Sequence, residues 1–314
     1  MQVGREGRGG GLAAPRPLAR PRTARIRGDT LVAILALSPS IIAVAVFVYG
    51  FILWTGYVSL VRWDGPAPDY AFVGLRNYAR LFETERFLID LGNTAIFAAL
   101  FMAECVVVGF VLAVFLDQHV KGEAIFRTIY IFPFAISAVV TGVAWRWLMQ
   151  PTSGINLLLS SVGLGALQSR WFADPDVGIK AVTIVAAWQM SGYVMALYLA
   201  GLRAVPGELR EAAAIDGAGA FAYYRHVVLP LLAPVTFAVV VILGNVSLRL
   251  FDLTASMTSS GPAYADDTPA FFMFQTTFQQ YHFAQGAAIA MVILALASLL
   301  IVPHLYSVRS EVER

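Results

Sequence analysis

Long apolar runs alternate with short polar stretches along this chain, and the length of the runs is the first clue to its solvent. Crossing a hydrocarbon layer about 30 Å thick takes about 20 mostly apolar residues at about 1.5 Å of helical rise each. Six runs meet that length: residues 31–54, 94–116, 129–148, 179–201, 231–250 and 287–306. They are continuous rather than alternating, so they predict helices and not the short two-faced strands of a membrane barrel. The expected fold class is an all-α integral membrane protein with six transmembrane helices.

A polar island interrupts this pattern between the fourth and fifth runs. It reads Pro206-Gly207-Glu208-Leu209-Arg210-Glu211-Ala212-Ala213-Ala214-Ile215-Asp216-Gly217-Ala218-Gly219 and ends at Val227-Val228-Leu229-Pro230. Pro206 suits a helix start because its missing N–H would be unpaired there anyway, and Glu208 and Glu211 lie near the positive end of that helix. A helix is expected over residues 207–215, with Leu209, Ala212, Ala213 and Ile215 on an apolar side. Asp216-Gly217 reads as a stop and turn, with Gly217 taking positive φ and Asp216 capping the helix that follows. Phe221, Tyr223 and Tyr224 then serve as large anchors before Leu229-Pro230 returns to the membrane. On composition alone, such an elbow could equally be an interfacial helix resting among lipid headgroups.

Arginine placement orients the chain, because short cytoplasmic loops collect positive charge. Arg5, Arg8, Arg16, Arg20, Arg22, Arg25 and Arg27 precede the first run. They assign the N-terminus to the cytoplasm, and six crossings return Arg309 and Arg314 to the same side. Loops 117–128 and 202–230 are then cytoplasmic, while 55–93, 149–178 and 251–286 are external. Residues 1–28, rich in Gly, Pro and Arg, are expected to form a disordered basic arm, with 29–314 as the permeation domain. The first run is longer than a signal-peptide core and lacks a small-x-small cleavage site, so it is read as a retained helix.

Composition narrows the chemistry further. Hydrophobic residues make up 58% and charged residues 13%, with mean hydropathy +0.70, far from a soluble domain. A net charge of +2 gives no reason to expect a nucleic-acid partner. Cys105 is the single cysteine, which excludes an internal disulfide or thiolate metal site. His119, His226, His282 and His304 are scattered, and no Gly-x-x-x-x-Gly-Lys-Ser/Thr phosphate loop occurs. No enzyme, metal or cofactor is expected.

The spacing of the island carries a resemblance. Glu211-Ala212-Ala213, then Gly217, then Val227 and Leu229-Pro230 resemble the EAA signature of membrane permeases in bacterial ABC importers, with Val227 where Ile is commoner. Phe72-Val73-Gly74-Leu75-Arg76-Asn77-Tyr78 resembles an outer-loop element of that family. Phe126-Arg127 and Phe132-Pro133 resemble its third-helix start, and Ser260-Gly261-Pro262 its late outer loop. The likeness covers residues 31–308 and points to the carbohydrate-uptake branch, similar to the larger maltose permease subunit and to glycerol-phosphate permeases. Leu248-Arg249-Leu250-Phe251-Asp252-Leu253 and Pro303-His304-Leu305-Tyr306-Ser307 resemble the glucose/mannose-type subgroup.

That resemblance implies a mechanism and partners. It makes residues 207–215 a coupling helix between spans 4 and 5, seated in a cleft of a cytoplasmic ATPase, with Glu211, Ala212, Ala213, Asp216 and Gly217 at the contact. Core transport helices would occupy residues 90–308. ATP would be bound by the partner subunit, and two ATPases, a second permease forming a heterodimer, an extracytoplasmic sugar-binding protein and membrane lipid would complete the system in a bacterial inner or plasma membrane. For the substrate path, matching along the flanks of the loop selects Gln189 and Tyr193 before it and Ser247 and Leu250 after it. Trp188 could stack on a sugar ring, and Gln189 and Asn245 could bond hydroxyls; packing aromatics and helix-joining polar groups explain these residues equally well. Arg249 and Asp252 are expected to share one helix face, and Glu104 to face another helix or a polar cleft. Alternatives are a permease for glycerol phosphate, a polyol or another solute, and a secondary transporter or scaffold working alone.

Overall fold

A computed structural model describes residues 26–118 and 120–312, so most of the arm predicted at 1–28 lies outside the described residues and its last three positions are helical. The chain divides into two units, residues 1–53 and 54–314. In the first, α1 (Ile26–Val44) runs into a π-helical segment at Ala45–Gly50. Its described side chains beyond residue 33 are almost all exposed, as expected of a helix whose solvent is lipid.

The helices that follow are, in order, α2 (Phe51–Val58), α3 (Arg76–Glu83), α4 (Glu85–Asp117), α5 (Glu123–Ala135), α6 (Ala138–Leu148), α7 (Gly154–Ser161) and α8 (Gly178–Arg203). After these come α9 (Gly207–Ile215), α10 (Ala220–Tyr223), α11 (Leu229–Leu231), α12 (Ala233–Leu248), α13 (Asp252–Met257), α14 (Pro269–Phe274) and α15 (Phe283–Val312). Among the described residues the only strand-like pairing is a bridge between Val61 and Phe72. Four helical stretches are long and apolar enough to cross a membrane: Ala33–Val58, Glu85–Asp117, Gly178–Arg203 and Phe283–Val302.

The third run is not the single helix expected from its hydropathy but breaks into α5 and α6, bent by 96°. The fifth run is the single helix α12, and residues 220–231 leading into it are bent from it by 66°. Pro133 lacks an N–H, and Ile136 and Ser137 take extended ψ values of 139° and 137°, which ends α5 before α6 can continue it. The second break lies at Leu232, with Pro230 before it and Pro234 in the first turn of α12. Neither half of the α5–α6 pair spans the hydrocarbon alone, at about 20 Å and about 16 Å.

α4 and α8 form the centre of the packing. Gly109 lets them meet closely, because a Cβ there would lie 2.7 Å from Val194 Cγ1. Phe97 and Phe101 of α4 stack on one another with centroids 5.1 Å apart and are fully buried with Val194, Met195 and Tyr198 of α8. Gly192 brings α8 against α5, where a Cβ would overlap the Tyr130 carbonyl oxygen. The carbonyl of Ile136, at the α5–α6 break, accepts a 2.7 Å bond from Gln189 Nε2 of α8. A neighbouring side chain thus satisfies a backbone group that the break releases, which low-dielectric surroundings require.

Candidate functional site

The elbow begins with Pro206 in extended conformation at the N-cap, followed by α9 over the residues expected. Its end is closed by two backbone bonds, Ala218 N–H to Ala213 C=O at 2.9 Å and Gly217 N–H to Ala214 C=O at 3.1 Å. These are the paired bonds of a Schellman stop, and Gly217 supplies the left-handed residue with φ of +76°. Asp216 is therefore the C-cap of α9 rather than the cap of the next helix; the N-cap of α10 is Gly219, which has no side chain to offer. Local backbone geometry thus completes this helix without tertiary help.

No residue of α9 is buried. Glu211, Ala212, Asp216 and Gly217 are exposed and Ala213 is half-buried. Ile215 and Phe221 are 87% and 78% exposed, a large apolar presentation for a segment carrying Glu208, Arg210 and Glu211. The elbow is tied down beyond α10. Tyr224 Oη accepts a 3.2 Å bond from Gln118 Nε2, at the end of α4, and its ring meets Phe110 edge-on. Nearby, Glu123 at the start of α5 accepts from Arg203 at the end of α8 at 2.7 Å and also pairs with Arg127.

Two cavities lie along α8. The larger, about 540 Å³, is lined by Glu104, Tyr130, Pro133, Trp188, Ser191 and neighbours. The smaller, about 230 Å³, is lined by Phe97, Phe101, Phe134, Gln189, Arg249, Leu250, Phe251 and Asp252 among others. The structure thus separates the sequence-selected residues. Gln189 and Leu250 share the smaller cavity, and Tyr193 stacks at 4.8 Å on Phe134 of its wall. Trp188 faces the larger one and packs edge-on against Trp145. Ser247 is buried and returns its hydroxyl to the Leu243 carbonyl, while Asn245 is half-buried and lines neither cavity.

Arg249 and Asp252 do not share a helix as expected. Arg249 closes α12 and Asp252 opens α13, because the two intervening positions, Leu250 and Phe251, are not helical; both nevertheless reach the smaller cavity. Its phenylalanines escaped the sequence reading, since an apolar residue in an apolar run carries no distinguishing signal. Together the wall offers flat aromatic faces beside an amide, a guanidinium and a carboxylate. Such a set can stack on a ring and bond hydroxyl groups.

The far end of α4 carries a second feature the sequence did not reveal. Arg86 pairs with buried Asp267 at 2.6 Å, bonds Gln275 Oε1, and lies between the rings of Tyr264 and Phe272 at 4.7 and 4.4 Å. Asn93 Nδ2 donates to the carbonyls of Tyr264 and Asp267 at 2.8 and 3.1 Å, and Thr268 Oγ1 donates to the Leu250 carbonyl at 2.7 Å. Ser259, Ser260, Ala263 and Tyr264 all have positive φ, strain that these contacts hold in place. Burial pushes the Asp266 carboxyl up to about 6 and raises Asp267 as well, against the pull of Arg86. The network fixes the end of α12, and with it one wall of the smaller cavity. Among the described residues no cluster of His, Cys, Asp and Glu could hold a metal ion.

A helical membrane protein with broken spans around central cavities and an exposed connecting helix has the architecture of a transport subunit. A solved structure of a bacterial ABC transporter importing the acidic polysaccharide alginate has the same fold, with a TM-score of 0.75 at 20% identity over 90% of this chain and 97% of that one. The chain belongs to the family described as the inner membrane component of binding-protein-dependent transport systems, which it matches over residues 105–308. It is 40% identical to a probable ABC transporter permease of Pyrococcus horikoshii over 87% of this chain and 94% of the relative. It is 32% identical to a xylose/arabinose import permease of Haloferax volcanii over 84% of each. The family is one of transport components, so this chain acts in permeation and not as the catalyst.

Proposed function

We propose that this chain forms half of the translocation pathway of an ATP-driven sugar importer and receives its driving motion through α9. The observation that carries the reading is the elbow: Glu211 and Ala212 exposed, with half-buried Ala213 beside them, on a helix that is locked by Gly217 and anchored through Tyr224 to α4. A cytoplasmic ATPase would seat α9 against its surface, with Ala212 and Ala213 allowing close approach and Glu211 and Asp216 offering charge. ATP and its hydrolysis belong to that partner. Two ATPases, a second permease and an extracytoplasmic binding protein make up the remainder, the elbow and both termini facing the cytoplasm and the two bent pairs each counting as one of six spans.

The smaller cavity is the proposed substrate path. Phe134 and Phe251 provide ring faces, and Gln189, Arg249 and Asp252 provide hydrogen bonds. The xylose/arabinose permease among the relatives supports a sugar. Arg249 on that wall favours a second reading of the cargo, an anionic solute such as a glycerol phosphate.

The test is co-purification of the ATPase together with uptake. Glu211→Lys and Gly217→Pro should each release the ATPase and abolish uptake while the permease remains folded in the membrane. Unchanged co-purification and uptake in both variants would overturn the docking role. For the cargo, ATPase stimulation in the presence of the binding protein should follow sugars; stimulation by glycerol phosphate alone would select the second reading.

A further inference from the structure

The connection between α6 and α8 does not have the surface of a water-exposed loop. No charged residue occurs from Trp147 to Ser169, whereas residues 62–90 carry nine. Leu157, Leu158 and Val162 are 63%, 67% and 67% exposed; Leu158 of α7 and its C-cap residue Val162 stand four residues apart, with Leu157 beside them. Leu164 and Leu167 beyond it, and Trp147 before it, are also exposed. This apolar strip continues from α6, where Val139, Val140 and Val143 are exposed within one of the two bent, membrane-length pairs.

The buried amide of the same segment, and much of its backbone, are satisfied from within. Asn156 is buried and donates to the carbonyls of Pro151 and Ser169 at 2.9 and 2.7 Å, while its Oδ1 accepts from Trp171 Nε1 at 2.9 Å. Gln168 Nε2 donates to the Asn156 carbonyl, and Ser161 returns its hydroxyl to Leu158. The backbone N–H groups of Val162, Gly163, Leu164, Leu167 and Gln168 all close local turns. Internal satisfaction of polar groups is what a non-aqueous surrounding demands of irregular backbone. Ile155, and Trp171 to which Asn156 is bonded, pack against the main core and hold the segment to the rest of the fold, so the exposed leucines are not needed for its shape.

We propose that residues 147–169 rest in the boundary between lipid headgroups and acyl chains, with Leu157, Leu158 and Val162 immersed in the acyl region. Exposed Arg146 and Arg170 bracket the segment. They extend their guanidinium groups back to the phosphates while their stems lie along apolar surface. The flanking charges are both cationic, which suits the phosphate layer of a lipid surface. The segment is thereby a lateral anchor for the end of α6, beside the broken span.

Bimane attached to Leu158→Cys or, as a control, Thr152→Cys tests this in the full chain, buried Cys105 being inaccessible to label. The labelled protein is reconstituted with and without its partner subunits in vesicles of acyl-brominated or ordinary phosphatidylcholine. Brominated lipid should lower the Leu158 signal about two-fold or more, and the Thr152 signal much less, in both preparations. No quenching at Leu158, or quenching only by aqueous iodide, would overturn the proposal. Quenching that disappears when the partners are present would also overturn it, identifying the face as a subunit contact.

Discussion

The two ends of α4 are built on opposite principles. At its Asp117 end, the elbow is made from neighbours in sequence, with its stop formed by backbone bonds within six residues and its side chains left exposed. At its Glu85 end, Arg86 meets Asp267 across 181 positions and is enclosed by two aromatic rings. A surface that receives a separate protein gains from local rigidity that leaves its side chains free. A junction that holds helices together gains from buried pairs, whose disruption is costly because the remaining charge has nowhere to go.

The largest expected effect therefore falls at the buried end. Arg86→Met leaves Asp267 without its cation and should cost about 3–5 kcal/mol, read as a fall in the thermal unfolding midpoint of the solubilised protein. Glu211→Lys on exposed α9 should leave that midpoint nearly unchanged. Equal losses in the two variants would break the comparison.

The buried end should also respond to pH. Asp266 titrates near 6 in the fold against an ordinary 3.8, so the fold favours its neutral form. The associated stability is fully present below pH 3.8 and is lost as pH rises through 6. A shift of about two units bounds the effect at about 3 kcal/mol. Unfolding midpoints should drop between pH 4 and 7 by less in Asp266→Asn than in the parent; parallel profiles would show that Asp266 does not carry the dependence.

Helix contact between the two ends gives a smaller effect. Gly192→Ala drives a methyl into the Tyr130 carbonyl, a backbone atom that cannot rotate away, and should cost about 1–3 kcal/mol. Gly217→Ala meets no neighbouring atom, so its penalty is conformational alone, about 1–2 kcal/mol for a left-handed residue. That penalty should fray α9 and weaken ATPase retention with little change in global unfolding. A fall in the unfolding midpoint as large as that of Gly192→Ala would mean that the elbow is integral to the core.

Legibility in the sequence follows the same division. The helix at Gly207–Ile215 and its glycine stop could be read because proline, acidic first turn and glycine act within a few residues. The apolar stretches of α4, α8 and α15 were legible because run length alone distinguishes them. The 96° break between α5 and α6 was not, since Pro133 is tolerated inside many membrane helices and only the extended Ile136 and Ser137 turn it into a corner. The place of Asp216 was not legible, because a short polar residue beside glycine suits either cap and only the backbone bonds make it the C-cap of α9.

The sequence by itself determined the solvent, the helical class and the elbow, for each depends on run length or on residues within one or two turns. Tertiary structure decided which residues share a cavity. It parted Trp188 from Gln189, placed Phe97, Phe134 and Phe251 beside Arg249 and Asp252, and paired Arg86 with Asp267. Adjacent positions on a helix point about 100° apart, and a buried ion pair needs partners that only folding brings within hydrogen-bond reach.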